Sequence, residues 1–157
     1  MRRRSLLDED FVQPAQFYFN LGESTDFTDP LGRVWKGLLG TNNYPYGPLL
    51  SSYKLWETVV YGTGTTVTLP VPAGTYQVTA YLKEVYTSKG QRTSGLQLQG
   101  GAVLYTNVDG YVGPQIGSEY GRPPAVITQT LTLPANPVFV LLGSNTPILN
   151  AMSLLAA

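Results

Sequence analysis

The sequence predicts an all-β protein, an antiparallel two-sheet jelly-roll β-sandwich with a short N-terminal arm. Three observations carry that expectation. Helical periodicity is nearly absent, short runs of alternating apolar and polar residues recur along the chain, and 17 Gly and 12 Pro among 157 residues punctuate the runs. A chain of this length suits one domain and buries roughly 70 % of its unfolded surface, enough for a core without covalent staples. We assign residues 1–15 to the arm and 16–157 to the sandwich.

The arm holds the one helical candidate, Ser5 to Gln13, where Ser5 can cap a turn, Asp8 is placed like a capping-box acid, and Pro14 stops it. Short strands are expected at Phe17–Phe19, Val34-Trp35 and Lys54–Tyr61, then at Thr65–Leu69. The clearest follows at Gly74–Glu84, where Tyr76, Val78, Ala80 and Leu82 alternate with Gln77, Thr79, Tyr81 and Lys83. Leu96–Gln99, Val103–Tyr105, Ile127–Leu133, Val138–Leu142 and Leu149–Leu154 repeat the pattern. Gly62-Thr63-Gly64 reads as a hairpin turn rather than a phosphate loop, because β-branched strand and not a helix follows it. Pro70–Gly74 and Pro134–Pro137 are tight links, while Gly37–Ser52 and Asp109–Pro124 are long, irregular and rich in Gly, Pro and Tyr.

Composition excludes several kinds of chemistry. The chain has neither Cys nor His, so there is no disulfide, no thiolate nucleophile, no imidazole base and no imidazole ligand for zinc. Ten basic and ten acidic residues cancel, which argues against nucleic acid as a partner. Charged residues make up 13 % of the chain, against roughly 25 % in an ordinary soluble domain, a surface that partners often cover. The most apolar run near the C-terminus, Val138–Leu142, falls far short of the ~18 residues of a membrane span. Only Leu6-Leu7 follows the basic Met1–Arg4 before Asp8-Glu9-Asp10, so no signal peptide is expected.

Carboxylates are the remaining catalytic option. Asp26, Asp29, Glu84, Asp109 and Glu119 are available, but a glycosidase needs two of them facing each other across a bond, and spacing places no such pair. Glu84 near a strand end needs a partner, and Arg92 or backbone N–H groups are expected to supply it. Asp26-Phe27-Thr28-Asp29 can offer oxygens to calcium, yet an Asx-turn before Pro30 explains the same residues. We therefore expect no catalytic residue, no metal and no cofactor. The aromatics are more informative: 11 Tyr stand against 5 Phe, several in loops, where a ring and a hydroxyl together suit sugars and protein surfaces alike.

Taken in order, segments from Phe17 to Leu155 resemble the malectin-like carbohydrate-binding family, a galactose-binding-like β-sandwich. They are Asp29-Pro-Leu-Gly32-Arg-Val-Trp35, Leu55-Trp-Glu-Thr-Val-Val-Tyr61, Pro72-Ala-Gly-Thr-Tyr-Gln-Val78 with Leu82-Lys-Glu-Val-Tyr86, Gly90-Gln-Arg92, Asn107-Val-Asp109, and Pro147-Ile-Leu-Asn-Ala151. The resemblance implies sugar contacts from Tyr61, Tyr86 and an aromatic of the loop holding Tyr44 and Tyr46. Asn145 stands where the family carries a carboxylate, able to hydrogen-bond without charge. Thr87 replaces the aromatic after the second stacking Tyr, and Lys36-Gly37 replace an Asp that often follows the opening Trp.

Two functional expectations follow. The first is a non-catalytic structural subunit of a larger assembly, a phage or virus particle in which it decorates a capsid or builds a tail or fibre base. Its localisation would be the virion, its partners other subunits of the same assembly, with homo-oligomers expected and Arg2, Arg3 and Arg4 as assembly contacts. Asp8-Glu9-Asp10 of an adjacent copy is one partner for that basic terminus. The alternative is a stand-alone carbohydrate-binding module using Tyr44, Tyr46, Tyr61, Tyr86 and Asn145. Glycans are partners in the second expectation and compatible with the first; nucleic acid and membrane are partners in neither.

Overall fold

The computed structural model describes residues 15–45, 54–84, 92–110, 124–143 and 145–157. These form strands β1 (Gln16–Leu21), β2 (Phe27–Thr28), β3 (Val34–Leu38), β4 (Asn43–Pro45), β5 (Thr58–Tyr61), β6 (Thr66–Thr68) and β7 (Gly74–Leu82). They continue with β8 (Thr93–Leu98), β9 (Val103–Asp109), β10 (Ala125–Leu133), β11 (Val138–Leu142), β12 (Ile148–Leu149) and β13 (Ala151–Ala156). The all-β expectation holds. The helical candidate Ser5–Gln13 and the proposed assembly contacts Arg2, Arg3 and Arg4 lie outside the described residues, as do Tyr46 and Tyr86.

One layer is a six-stranded sheet in the order β10-β7-β13-β1-β3-β2. Facing it are a four-stranded sheet, β6-β11-β8-β9, and a three-stranded sheet, β12-β5-β4. The chain passes repeatedly between layers: Pro70–Ala73 lead from β6 to β7 and Pro134–Pro137 from β10 to β11. This is the wiring of a jelly roll. Alternation decides what each strand buries. Along β7, Tyr76, Val78, Ala80 and Leu82 point inward, and β13 adds Met152 and Leu154. They meet Val59, Val60, Val67, Leu96, Phe139, Leu141, Ile148 and Leu149 from the opposing sheets in one apolar cluster. Tyr76 is buried, but its hydroxyl donates to the Pro72 carbonyl at 2.7 Å, which satisfies the polar end and pins the corner leading into β7.

Four details correct the sequence reading. The pairing is not wholly antiparallel, since β1 and β3 run parallel, with Phe19 opposite Lys36. Lys54–Trp56 is a 3-10 turn rather than the start of a strand, and it lays Leu55 against Trp35 and Ala151 on the outer side of the six-stranded sheet. The run Leu149–Leu154 breaks at Asn150, whose backbone leaves the ladder to serve two neighbours. Gly62-Thr63-Gly64 does make a turn, with φ of 100° at Gly62 and 81° at Gly64, but β5 and β6 belong to different sheets, so it is a crossover and not a hairpin.

Candidate functional site

The opening Asp29–Trp35 segment is a self-contained polar clamp. Asp29 Oδ1 accepts from the backbone N–H groups of Leu31 and Arg33, and Oδ2 accepts from the Arg33 guanidinium and from Trp35 Nε1. Burial alone would raise the Asp29 pKa, but the donors from Trp35, Arg33 and Leu31 outweigh it and hold the carboxyl at about 2. Asp26 is engaged likewise by the Gly37 N–H and then by Lys36 Nζ at 3.1 Å. Those contacts keep its pKa below the ordinary value. Asp29 makes the expected Asx-turn through the Leu31 N–H, whereas Asp26 bonds across to Lys36 and Gly37 of β3. The clamp fixes Trp35 against Tyr18 and Tyr81, at ring separations of 5.0 and 5.6 Å.

Glu84 finds the partner expected of it: Arg92 Nη1 donates to Oε2 at 3.1 Å, and the Glu84 carboxylate is buried. The backbone N–H of Glu84 donates to Gly110 O, so the end of β7 is tied to Arg92 just before β8 and to Gly110 just after β9. Asn150 ties it from below. Its Oδ1 accepts from Lys83 N at 2.7 Å while Nδ2 donates to Thr58 O. These polar groups are structural, and they fix the strand ends on which the loops are mounted.

The predicted sugar contacts Tyr44 and Tyr61 come together on the β4–β5 ladder. Tyr44 pairs with Val59 and Asn43 with Val60, which makes Tyr44 and Tyr61 diagonal neighbours, within reach of long aromatic side chains. Their rings lie 5.8 Å apart at 77°, edge to face, and Tyr44 is 41 % exposed. β4 is short and would fray alone. Asn43 prevents that by bracketing Gly40, accepting from its N–H at 2.8 Å and donating to its carbonyl at 2.9 Å. Asn42 Nδ2 donates to Tyr61 O, and Tyr61 N donates back to Asn42 O. Sequence reasoning missed both Asn residues; a pair of amides beside the predicted aromatics was the available signal.

Asn145 joins the same edge through its loop. The residue is exposed and sits in the left-handed region at φ 56°, followed by Thr146 at 64°. Gly62 N donates to Pro147 O, and Thr63 Oγ1 to Gly143 O at 2.6 Å. The Asn145 loop is thus stitched to the turn that directly follows Tyr61. Of the predicted site residues, Tyr44, Tyr61 and Asn145 share one end of the three-stranded sheet.

No family model matches the chain, and no curated protein matches it. Solved structures do. A β-glucuronidase from Bacteroides uniformis aligns with 91 % of this chain at a TM-score of 0.67 and 16 % identity, over 18 % of its own length. The ANXUR2 extracellular domain from Arabidopsis thaliana aligns with 89 % of the chain at 0.61 and 13 % identity, over 48 % of its length. The plant peptide RALF23 in complex with FER and LLG2 contains a chain that aligns with 94 % of this one at 0.60 and 12 % identity, over 41 % of its length. The chain therefore spans less than half of each of these proteins. The likenesses show the β-sandwich and support a malectin-like fold.

Proposed function

We propose that the chain is a non-catalytic carbohydrate-binding module that recognises glycan at the loop end carrying Tyr44, Tyr61 and Asn145. The Tyr44–Tyr61 pair carries the reading, with Tyr44 exposed and Tyr61 half-buried against the core. It is an aromatic corner on a hydrogen-bonded strand ladder, offering a flat ring to sugar C–H faces and hydroxyls to their polar rims. Asn42 and Asn43 brace its backbone, and the Asn145 loop is hydrogen-bonded to the turn that follows Tyr61. The ladder makes the corner rigid before any ligand arrives, which limits the ordering cost of binding. The fold's presence inside a protein whose name is β-glucuronidase supports an auxiliary carbohydrate role.

The solved structures with this fold favour a module over a particle subunit, since they include a β-glucuronidase and plant receptor ectodomains. A protein-facing role keeps one support, the neighbour that sits in a complex with the peptide RALF23 and LLG2. A glycan array separates the two. Wild-type protein is expected to retain a defined subset of glycans, and Tyr44→Ala/Tyr61→Ala to lose them by at least tenfold with an unchanged circular dichroism spectrum. Equal retention by both proteins, or none by either, overturns the reading.

A further inference from the structure

The outer face of the six-stranded sheet is unlike an ordinary solvated sheet surface. Strands β10, β7, β13 and β1 contain no Asp, Glu, Lys or Arg, although exposed sheets and especially edge strands usually carry charge. Their outward residues line up in register mostly as hydroxyls and amides, with Val126 and Leu155 as exposed apolar members. Tyr18, Ser153, Thr79 and Thr128 form one row, and Gln16, Leu155, Gln77 and Thr130 the next. Neighbouring hydroxyls already engage one another: Tyr81 with Ser153 at 3.2 Å and Thr79 with Thr128 at 3.0 Å, while Tyr18 donates to Gln16 Oε1 at 2.6 Å. A cleft of about 160 Å³ opens over β7, β13 and β1, where Gln16, Tyr18, Gln77 and Tyr81 line it together with the apolar Leu154 and Leu155.

We infer that this cleft is a second glycan site, distinct from the Tyr44–Tyr61 corner, and that it holds one residue of a neutral polysaccharide chain. Three features of the lining define that ligand. Three adjacent strands span roughly 10 Å, enough to seat one sugar ring with its hydroxyls, and the volume is about half that of the smallest pockets that enclose a whole small molecule. The strands line it with hydroxyls and amides that both donate and accept hydrogen bonds and with the apolar surfaces of Tyr18, Tyr81, Leu154 and Leu155, a mixture that complements the hydroxyls and C–H faces of a sugar. The cleft's one cation, Arg33, lies 5.6 Å above the Tyr18 ring and is neutralised by Asp29, so the site complements an uncharged ligand.

The inference rests on reading the fold as a carbohydrate-binding module, but it uses different residues, so the two fail separately. The test is a titration of ¹⁵N-labelled protein with cellohexaose, xylohexaose and mannohexaose, and with oligogalacturonate as the acidic control. Saturable shifts are expected in the side-chain amides of Gln16 and Gln77 and in the backbone amides of Thr79 and Ser153 with a neutral hexaose. The variant Gln77→Glu, at an exposed position, should keep the folded spectrum and bind at least tenfold more weakly. Movement confined to Asn42, Asn43 and Asn145 overturns the cleft and leaves the loop site standing. Stronger binding of oligogalacturonate in the cleft overturns the neutral-ligand assignment. Cleft signals that move with protein concentration alone make a second copy of the chain the occupant and overturn the glycan assignment, and silence of the cleft amides with every neutral hexaose overturns the cleft while the glycan array decides the loop site.

Discussion

At the scale of single residues, the polar groups that matter most here are those whose partners come from several directions at once. Asp29 takes four N–H donors, two from backbone and two from side chains, and has no solvent to fall back on. Replacing it with Asn removes the charge and turns an acceptor into a donor facing Arg33 or Trp35. We expect Asp29→Asn to lower stability by about 2–3 kcal/mol at neutral pH, measured by urea denaturation. The pH dependence has a defined sign. The folded carboxyl sits at about 2 against an ordinary 3.8, so the folded state favours the ionised form. The contribution is complete above the unfolded value and is lost as pH falls through about 2. The gap between wild type and Asp29→Asn should close over that window, and a gap that is constant with pH excludes the clamp as its source.

At the scale of elements, close approach between segments decides whether the Tyr corner exists. Gly22 follows β1 with φ at 88°, and a Cβ there would lie 2.4 Å from the Val59 carbonyl oxygen. β5 can therefore pack against the end of β1 only because residue 22 has no side chain. Val59 is also the partner of Tyr44, so the same contact positions the β4–β5 ladder. Gly22→Ala is expected to cost about 3 kcal/mol or more in thermal denaturation, from strain and from displaced backbone together. In any fraction that still folds, glycan retention should fall as well. A variant with wild-type stability would show that β5 has room to shift. The strand alternation of β7 was legible in the sequence because period two and burial on one face leave the same imprint. The requirement for Gly22 was not, since it is set by Val59, 37 positions away.

At the scale of the whole molecule, one apolar cluster draws on all three sheets, so unfolding should be a single cooperative transition. Ligand that binds the folded state then stabilises all of it. At a hundredfold excess over its dissociation constant, a neutral oligosaccharide should add about 2.7 kcal/mol. The thermal midpoint should rise by the same degree whether tryptophan fluorescence or far-ultraviolet circular dichroism is followed. Separate transitions for the two probes would mean that the cluster holding Trp35 and Trp56 melts apart from the rest of the fold.

What the linear chain carries is local: alternation, turn residues, the missing Cys and His, and the lopsided count of Tyr. From these the β class, most strand positions and the Glu84–Arg92 pair could be read, and Tyr44 and Tyr61 could be named before their rings were seen to meet. Folding supplied the rest, because it depends on which strands become neighbours. The parallel β1–β3 pair, the assignment of β5 and β6 to different sheets, and the 3-10 turn that covers Trp35 all follow from long-range pairing. So does the uncharged outer face. Its four strands are scattered from Gln16 to Ala156, and their shared lack of charge becomes a surface only when register places Tyr18, Ser153, Thr79 and Thr128 side by side. Side-chain chemistry is written residue by residue, whereas a binding surface is a sum over neighbours, and hydrogen-bonded pairing chooses the neighbours.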